Sequence, residues 1–320
     1  MITFVYAVLV FLVLRFSVTL FNFLSNPKLG YYGKHFTDKV SIIISLPDVN
    51  DDPSSLIASI EAQDYKNVEV LVKKYSETTK KVVAKSTGSF ILFLDVNTVI
   101  NKGLINNLIC RVKVFDLDLL SIIPNRKFSK VFGRFVYPLS DFVMLNLLPL
   151  RLVRLSTQQI FAVANTGCMF FKASSYMKGD WYENTDGEGS ESTDIARLMK
   201  QMKLKTEVLL ANKFIYIDEK VRLDKVSSQL LVAFGNNLLA VLIYLLLIIA
   251  GPIVVLINFD PVLLVLPIGL IFLSRVMISF LTAQNPVINV LIHPIQMIML
   301  FVLLLNGLWN KVLTSVKHKL

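Results

Sequence analysis

Histidine and cysteine are scarce in this chain, at 3 and 2 of 320 residues. Cys110 and Cys168 stand far apart, with no CxxC spacing and no histidine beside them, which argues against a disulfide framework and a cysteine-built metal site. Both read as small buried hydrophobes. No basic stripe with interleaved aromatics accompanies the formal net charge of +10, so the charge does not point to nucleic acid. A cationic domain beside an anionic leaflet accounts for it. No internal repeat relates the hydrophobic segments, which counts against a transporter built from repeated halves.

Charge itself is missing from the two ends. Ile2 to Leu24 contains a single charge, Arg15, and is longer than the ~20 apolar residues that a membrane helix needs. The segment starts uncharged and ends in Phe23, Leu24 and Ser25, without the basic start and small-residue cleavage site of a signal peptide, so a retained anchor is expected. After Gln229 the chain is apolar again. Leu230–Ile257, Val262–Leu281 and Val287–Leu308 are candidate spans, divided by Asn258, Asp260 and Pro261 and then by Gln284, Asn285 and Pro286. Arg275 and His293 are polar residues at expected membrane depth, where such groups face protein or a cavity.

Between the ends, Ser25 to Gln229 carries 28 of the 33 Lys and Arg and 22 of the 23 Asp and Glu, too much charge for lipid. The expected domains are therefore an anchor over 1–25, a soluble domain over 26–229 and membrane helices over 230–320. Lys28, Lys34 and Lys39 follow the first span and nothing basic precedes it, which puts the soluble domain in the cytoplasm. Four spans would leave Lys311, Lys317 and Lys319 outside, so a re-entrant or interfacial segment stays open as an alternative.

Val40–Ser45 (VSIIIS) has the continuous β-branched character of a strand buried on both faces, and Pro47, Asp48, Asn50, Asp51 and Asp52 end it. Ser54–Gln63 reads as a helix that Ser54 or Ser55 could cap. Val68–Val72 and Phe90–Leu94 are further strands, with a short helix over Thr78–Ala84. This alternation predicts a mostly parallel, Rossmann-like α/β sheet. Asp95 and Asn97 then leave the third strand at the edge where open α/β folds place ligands. Leu104–Lys113 reads as a helix, Leu119–Ile123 as a strand and Asp194–Met202 as an amphipathic helix. Val131–Leu155, with Arg134, Arg151 and Arg154, fits either a segment on the membrane surface or a core helix pair.

The order of VSIIIS, QDYKNVEVLV (Gln63–Val72), TGSFILFLDVN (Thr87–Asn97), NTGCMFFKASSY (Asn165–Tyr176), TDIARLMKQMKLKTEVL (Thr193–Leu209) and HPIQMIMLFVLLLNGLW (His293–Trp309) resembles membrane-bound family 2 glycosyltransferases, bacterial ones with lipid or carotenoid acceptors among them. The resemblance implies a GT-A-like fold that grips a nucleotide-sugar donor through a divalent metal, Mn or Mg. It implies metal ligation by Asp95 and Asn97, the latter in place of a second carboxylate. Donor contacts fall to Asp48, Asn50, Asp51 and Arg222, and the general base to Asp194 or Glu191, with Ser192 at the matching position. A membrane lipid acceptor and the bacterial inner membrane are likewise implied, with a partner membrane subunit if the chain serves as a scaffold.

Several departures oppose turnover. Val72 runs into Lys73, Lys74, Tyr75 and Ser76 where the family has a nucleobase-binding Asp, and a short stretch separates it from Phe90. The QxxRW signature of processive relatives is absent. Two readings follow: an active transferase, or a catalytically impaired relative kept as a binding or scaffold subunit.

Overall fold

The computed structural model describes residues 2–128, 131–179, 181, 191–217 and 223–317. The chain opens with helix α1 (Ile2–Ser25) and then alternates β1 (Val40–Ser45), α2 (Ser54–Glu61), β2 (Val68–Lys73), α3 (Thr79–Val83) and β3 (Phe90–Asp95). Strand β4 (Thr98–Ile100), α4 (Leu104–Phe115), β5 (Leu119–Ile123) and β6 (Asn125–Arg126) precede α5 (Gly133–Leu147) and α6 (Leu150–Leu155). Next come β7 (Cys168–Lys172), α7 (Ala173–Tyr176), α8 (Glu191–Gln201), β8 (Thr206–Leu210), β9 (Ile215–Ile217) and α9 (Leu223–Val232). Further helices cover Leu238–Asn258, Pro261–Leu281, Pro286–Leu291 and His293–Lys317.

Residues 27–127 and 150–219 form one compact unit. Its six-stranded sheet has the order β2-β1-β3-β7-β5-β8, and a three-stranded sheet has the order β4-β9-β6. The pairs β1–β2, β1–β3 and β5–β8 are parallel, as the alternation predicts, while β7 lies antiparallel between β3 and β5. Both faces of the sheet are covered, so its central strands are mainly apolar, with buried Ser41 and Ser121 hydrogen-bonded. Ile42, Ile44, Leu92, Leu94 and Phe170 pack on one face against α2 and α4. Ile43, Ile91, Phe93, Met169 and Phe171 pack on the other against α8 and the α7 region. Burying each of these side chains contributes about 1.5–3 kcal/mol.

Helix α2 departs from expectation at its start. Pro53 occupies the N-cap, and Asp52 accepts from the Ser54 backbone N–H at 3.0 Å, so neither Ser54 nor Ser55 caps it. Proline fits there because the missing N–H would be unsatisfied in any case.

Glu207, on the buried strand β8, gathers three arginines. Arg111 of α4 meets it in a two-pronged contact, Nε to Oε2 at 2.7 Å and Nη2 to Oε1 at 2.6 Å. Arg154 and Arg151 of α6 lie at 3.1 and 3.6 Å from Oε1. Phe115 is sandwiched between the Arg111 and Arg154 guanidinium groups, 3.9 and 4.0 Å from its ring centroid. Arg151 and Arg154 therefore serve a buried carboxylate, where the sequence left headgroup contact open. A fully buried carboxylate is tolerated only with such partners.

A second carboxylate, Glu69, ties the start of β2 to the turn before β3. It accepts from Thr87 N at 2.6 Å, Thr87 Oγ1 at 2.8 Å and Ser41 Oγ, and it pairs with Lys39 Nζ at 2.8 Å. Burial opposes its ionisation, but these donors outweigh that and hold its pKa down at about 2.

Residues 1–26, 128–149 and 220–320 form the other compact unit. Four of its helices are long and apolar enough to cross a membrane: Ile2–Ser25, Leu238–Asn258, Pro261–Leu281 and His293–Lys311. The last starts at His293, because Pro286–Leu291 forms a separate short helix where the sequence suggests one unbroken span. Helix α5 belongs to this unit although it lies within the charged stretch of sequence. Asn22 of α1 donates to the backbone carbonyls of Leu145 and Leu148 at 3.0 and 2.9 Å. Thr19 donates to the Asn146 side chain at 3.0 Å. Arg275, fully buried, donates to Gln296, which in turn donates to the Arg134 carbonyl at 2.9 Å.

Two outcomes follow for the first unit. Glu207→Gln leaves three guanidinium groups without a carboxylate and should cost roughly 3–5 kcal/mol of stability by denaturant unfolding of the detergent-purified protein. Because the folded pKa of Glu69 lies below its ordinary value of 4.5, its contribution is complete above that pH and fades as pH falls toward about 2. Glu69→Gln should therefore flatten that acid limb of the stability curve by about 1–2 kcal/mol, after allowance for solvent screening.

Candidate active site

The C-terminal ends of β1, β2 and β3 lie side by side. Ser45 of β1 is in register with Lys73 of β2 on one flank and Asp95 of β3 on the other. Residues two apart share a face of a strand, so Asp95 continues the row of Ile91 and Phe93, and Ser45 that of Ile43. That face packs against α8. Asp95 is thus the first polar position at the end of a strand buried on both sides.

The backbone turns immediately after Asp95. Asn97 donates to Asp95 Oδ1 through its backbone N at 2.9 Å and its Nδ2 at 3.0 Å, and Thr98 Oγ1 donates to the Asp95 carbonyl at 2.6 Å. Asp95 Oδ2 accepts no hydrogen bond among the described residues. Locking Oδ1 in this turn aims Oδ2 away from the turn, and Asn97 Oδ1 remains a second oxygen donor. Asp95 is half-buried and Asn97 exposed.

Two other segments reach this edge. Asp95 N donates to the Gly167 carbonyl at 3.3 Å, and the loop before β7 is held by Asn165, whose Oδ1 accepts from Gly167 N at 2.9 Å. Asn165 N in turn donates to Ser121 Oγ at 2.8 Å. A side chain at Gly167 would place its Cβ 2.6 Å from the Pro124 ring, so the loop requires glycine. The first turn of α8 is fixed to the same loop by Ser192, which donates to the Ala164 carbonyl at 3.0 Å. Buried Cys168 has its thiol pKa pushed up by desolvation, which keeps it protonated.

The sequence candidates divide accordingly. Asp95, Asn97, Glu191 and Asp194 lie on elements that meet at one sheet edge. Glu191 opens α8, three residues before the expected helix start, and Asp194 pairs with Arg197 at 2.8 Å within that helix. Asp48, Asn50 and Asp51 lie in the loop after β1, where Asp48 and Asp51 each use one carboxylate oxygen within the loop itself. Asp51 Oδ2 accepts from Asp48 N at 2.9 Å, and Asp48 Oδ1 from Asn50 N at 3.2 Å. Arg222 lies outside the described residues.

Ser192, Asn165 and Lys73 have structural parts that spacing alone does not reveal. Lys73, half-buried, has no carboxylate partner among the described residues and is in register with the row that ends at Asp95. The signal for Asn165 was the NTG run before β7.

Among the described residues no group of three or more His, Cys, Asp and Glu is placed to hold a metal ion. Asp95 and Asn97 supply two hard oxygen donors. Such a pair suits Mg²⁺ or Mn²⁺ in the mode in which substrate phosphates and water complete the coordination sphere.

No protein-family model matches the chain, and no curated protein sequence matches it. Solved structures do. The mannosyltransferase PcManGT from Pyrobaculum calidifontis, in complex with GDP-Man and Mn²⁺, aligns over 96% of this chain and 99% of its own, with TM-score 0.52 and 11% identity. The chain has a GT-A-like fold. S. aureus TarS 1–349, in complex with UDP-GlcNAc, aligns over 75% of this chain and 81% of its own, with TM-score 0.40 and 12% identity.

The tight loop supplies the test of the site's architecture. Gly167→Ala should lose about 1–3 kcal/mol of stability through overpacking against Pro124, measured by denaturant unfolding.

Proposed function

We propose that the protein is a membrane-anchored glycosyltransferase that moves a sugar from a nucleotide-diphosphate donor to a hydroxyl of a lipid-like acceptor. The observation that carries this reading is the unengaged Oδ2 of Asp95, at the end of a buried parallel strand on the face where the first turn of α8 begins. The fold likeness to a mannosyltransferase in complex with GDP-Man and Mn²⁺ supports the donor class.

In this reading Asp95 and Asn97 hold a divalent cation, which neutralises charge on the departing diphosphate when bound. Lys73 adds a fixed positive charge to the same edge, favourable to phosphate oxygens. The acceptor hydroxyl gives its proton to a carboxylate on the first turn of α8, Glu191 or Asp194. The Glu191 carboxylate accepts no hydrogen bond among the described residues, whereas Asp194 is engaged by Arg197. The four helices of spanning length support a membrane location, proposed as the bacterial inner membrane with the sheet unit on the cytoplasmic side. No contact with nucleic acid is part of this reading.

A second reading, a catalytically impaired relative acting as a binding subunit of a membrane complex, is favoured by one observation. Asp48 and Asp51 each turn one carboxylate oxygen to their own loop, which lowers what they can offer a donor.

Calorimetric titration of the detergent-purified protein with UDP- and GDP-sugars, with and without Mn²⁺, separates the two. The transferase reading expects metal-dependent binding that Asp95→Ala abolishes, and a turnover loss of about 10²–10⁴-fold in Glu191→Gln or Asp194→Asn. Absence of binding across the panel in folded protein would refute it and leave the binding-subunit reading.

A further inference from the structure

The helical unit contains a cavity of about 490 Å³, within the ~300–1,000 Å³ typical of small-molecule sites. Its wall is almost wholly apolar, formed among others by Leu9, Leu247, Ile271 and Phe301. The polar exceptions are Arg15, Asn146, Ser274 and His293. Asn146 is satisfied by the Phe142 carbonyl and by Thr19, and Ser274 by the Leu270 carbonyl. Arg15 and His293 are not.

Arg15 is only 7% exposed, yet its guanidinium donates no hydrogen bond and meets no carboxylate among the described residues; its buried Nε is unpartnered. Three aromatic rings neighbour it: Phe142 at 5.3 Å, Phe11 at 5.5 Å and Tyr244 at 5.8 Å from its central carbon. His293, 8% exposed, has an unpartnered Nδ1. Its ring sits edge-on to Phe142 at 5.6 Å, so the same phenyl ring borders both polar groups. A guanidinium on a helix of spanning length, without a counter-charge, is costly, and five N–H donors without acceptors add to the cost.

The wall is also irregular in a way that opens it. The helix Leu238–Asn258 changes to a π-turn over Leu246–Ala250, just before Pro252, and both segments line the cavity. Such turns widen a helix locally and recur at functional sites. Pro267 and Pro294 line it as well.

We infer that this cavity binds an amphiphile whose acidic head, a carboxylate or a phosphate, pairs with Arg15 beside His293 while its hydrocarbon body lies along the apolar wall. Arginine meets either head with paired, directed donors, and the anion supplies the charge that the protein withholds. The inference is independent of the sugar-transfer reading, since every residue in it belongs to the helical unit.

Equilibrium binding to the full-length protein in non-ionic detergent tests it, with radiolabelled oleate and 1-oleoyl lysophosphatidate against oleyl alcohol and monoolein as uncharged counterparts. At least one acid should saturate a single site at least about tenfold more tightly than either uncharged counterpart, the scale of one charged hydrogen bond. Oleate alone identifies a carboxylate head, lysophosphatidate alone a phosphate head, and both together a general acid site. Arg15→Gln should erase the preference for acid, and Ile271→Trp, which fills the wall, should weaken every bound ligand. Equal binding of acids and uncharged counterparts, or no saturable binding, by wild-type protein with its melting transition intact would overturn the inference. The wild-type comparison decides this even where Arg15→Gln does not fold.

Discussion

Strand β3 is buried on both faces, with a parallel neighbour on one side and an antiparallel neighbour on the other. This constraint governs the sheet unit. A strand in that position has to be apolar at every residue until it leaves the sheet, and in this chain it leaves at Asp95. The requirements of burial thus fix where the first carboxylate stands. The turn that follows takes one of its oxygens and leaves the other without a hydrogen bond among the described residues.

The same logic of burial explains the charged residues elsewhere in the unit. Glu207 has no water to solvate it, so it collects Arg111, Arg151 and Arg154, and their shared aromatic neighbour Phe115 is held between two of them. Arg111 also donates to the Tyr32 hydroxyl at 3.2 Å, which joins the segment after α1 to α4. The α6 arginines remain partly exposed while Arg111 and Glu207 are buried. In the helical unit Arg275 is less completely satisfied, its Nε and Nη1 having no hydrogen-bond partner among the described residues. It is buried entirely, and a neutral partner, Gln296, takes one of its donors while the Phe142 ring lies 4.9 Å from its central carbon. Arg15 has only the aromatic part of that arrangement.

The segments of the candidate site were legible to different degrees. β1, β2 and β3 and the exit at Asp95 follow from runs of β-branched and aromatic residues bounded by polar turns, a signal contained within each segment. The loop Asp48–Asp51 was equally visible as a polar turn, but its hydrogen bonds are internal, and a sequence cannot show which carboxylates a turn will use. Strands β7 and β8 were apparent only as parts of longer motifs. CMFFK and TEVLL are too short for periodicity to separate them from buried helix.

By itself the sequence determined the parallel α/β alternation, the place of Asp95 at a strand end and the presence of helices long and apolar enough to cross a membrane. Each depends on the character of neighbouring residues, read within one turn or one strand. The tertiary structure decided the insertion of β7 antiparallel between β3 and β5, the attachment of α8 to the loop before β7, and the assignment of α5 to the helical unit. It also turned Arg151 and Arg154 toward Glu207 and enclosed Arg15 in an apolar cavity. These outcomes rest on contacts between residues distant in the chain, such as Asn22 with Leu145 and Arg111 with Glu207, separated by 123 and 96 positions. Such pairings gain their energy only once the backbone has brought the partners together, so no local pattern carries their trace.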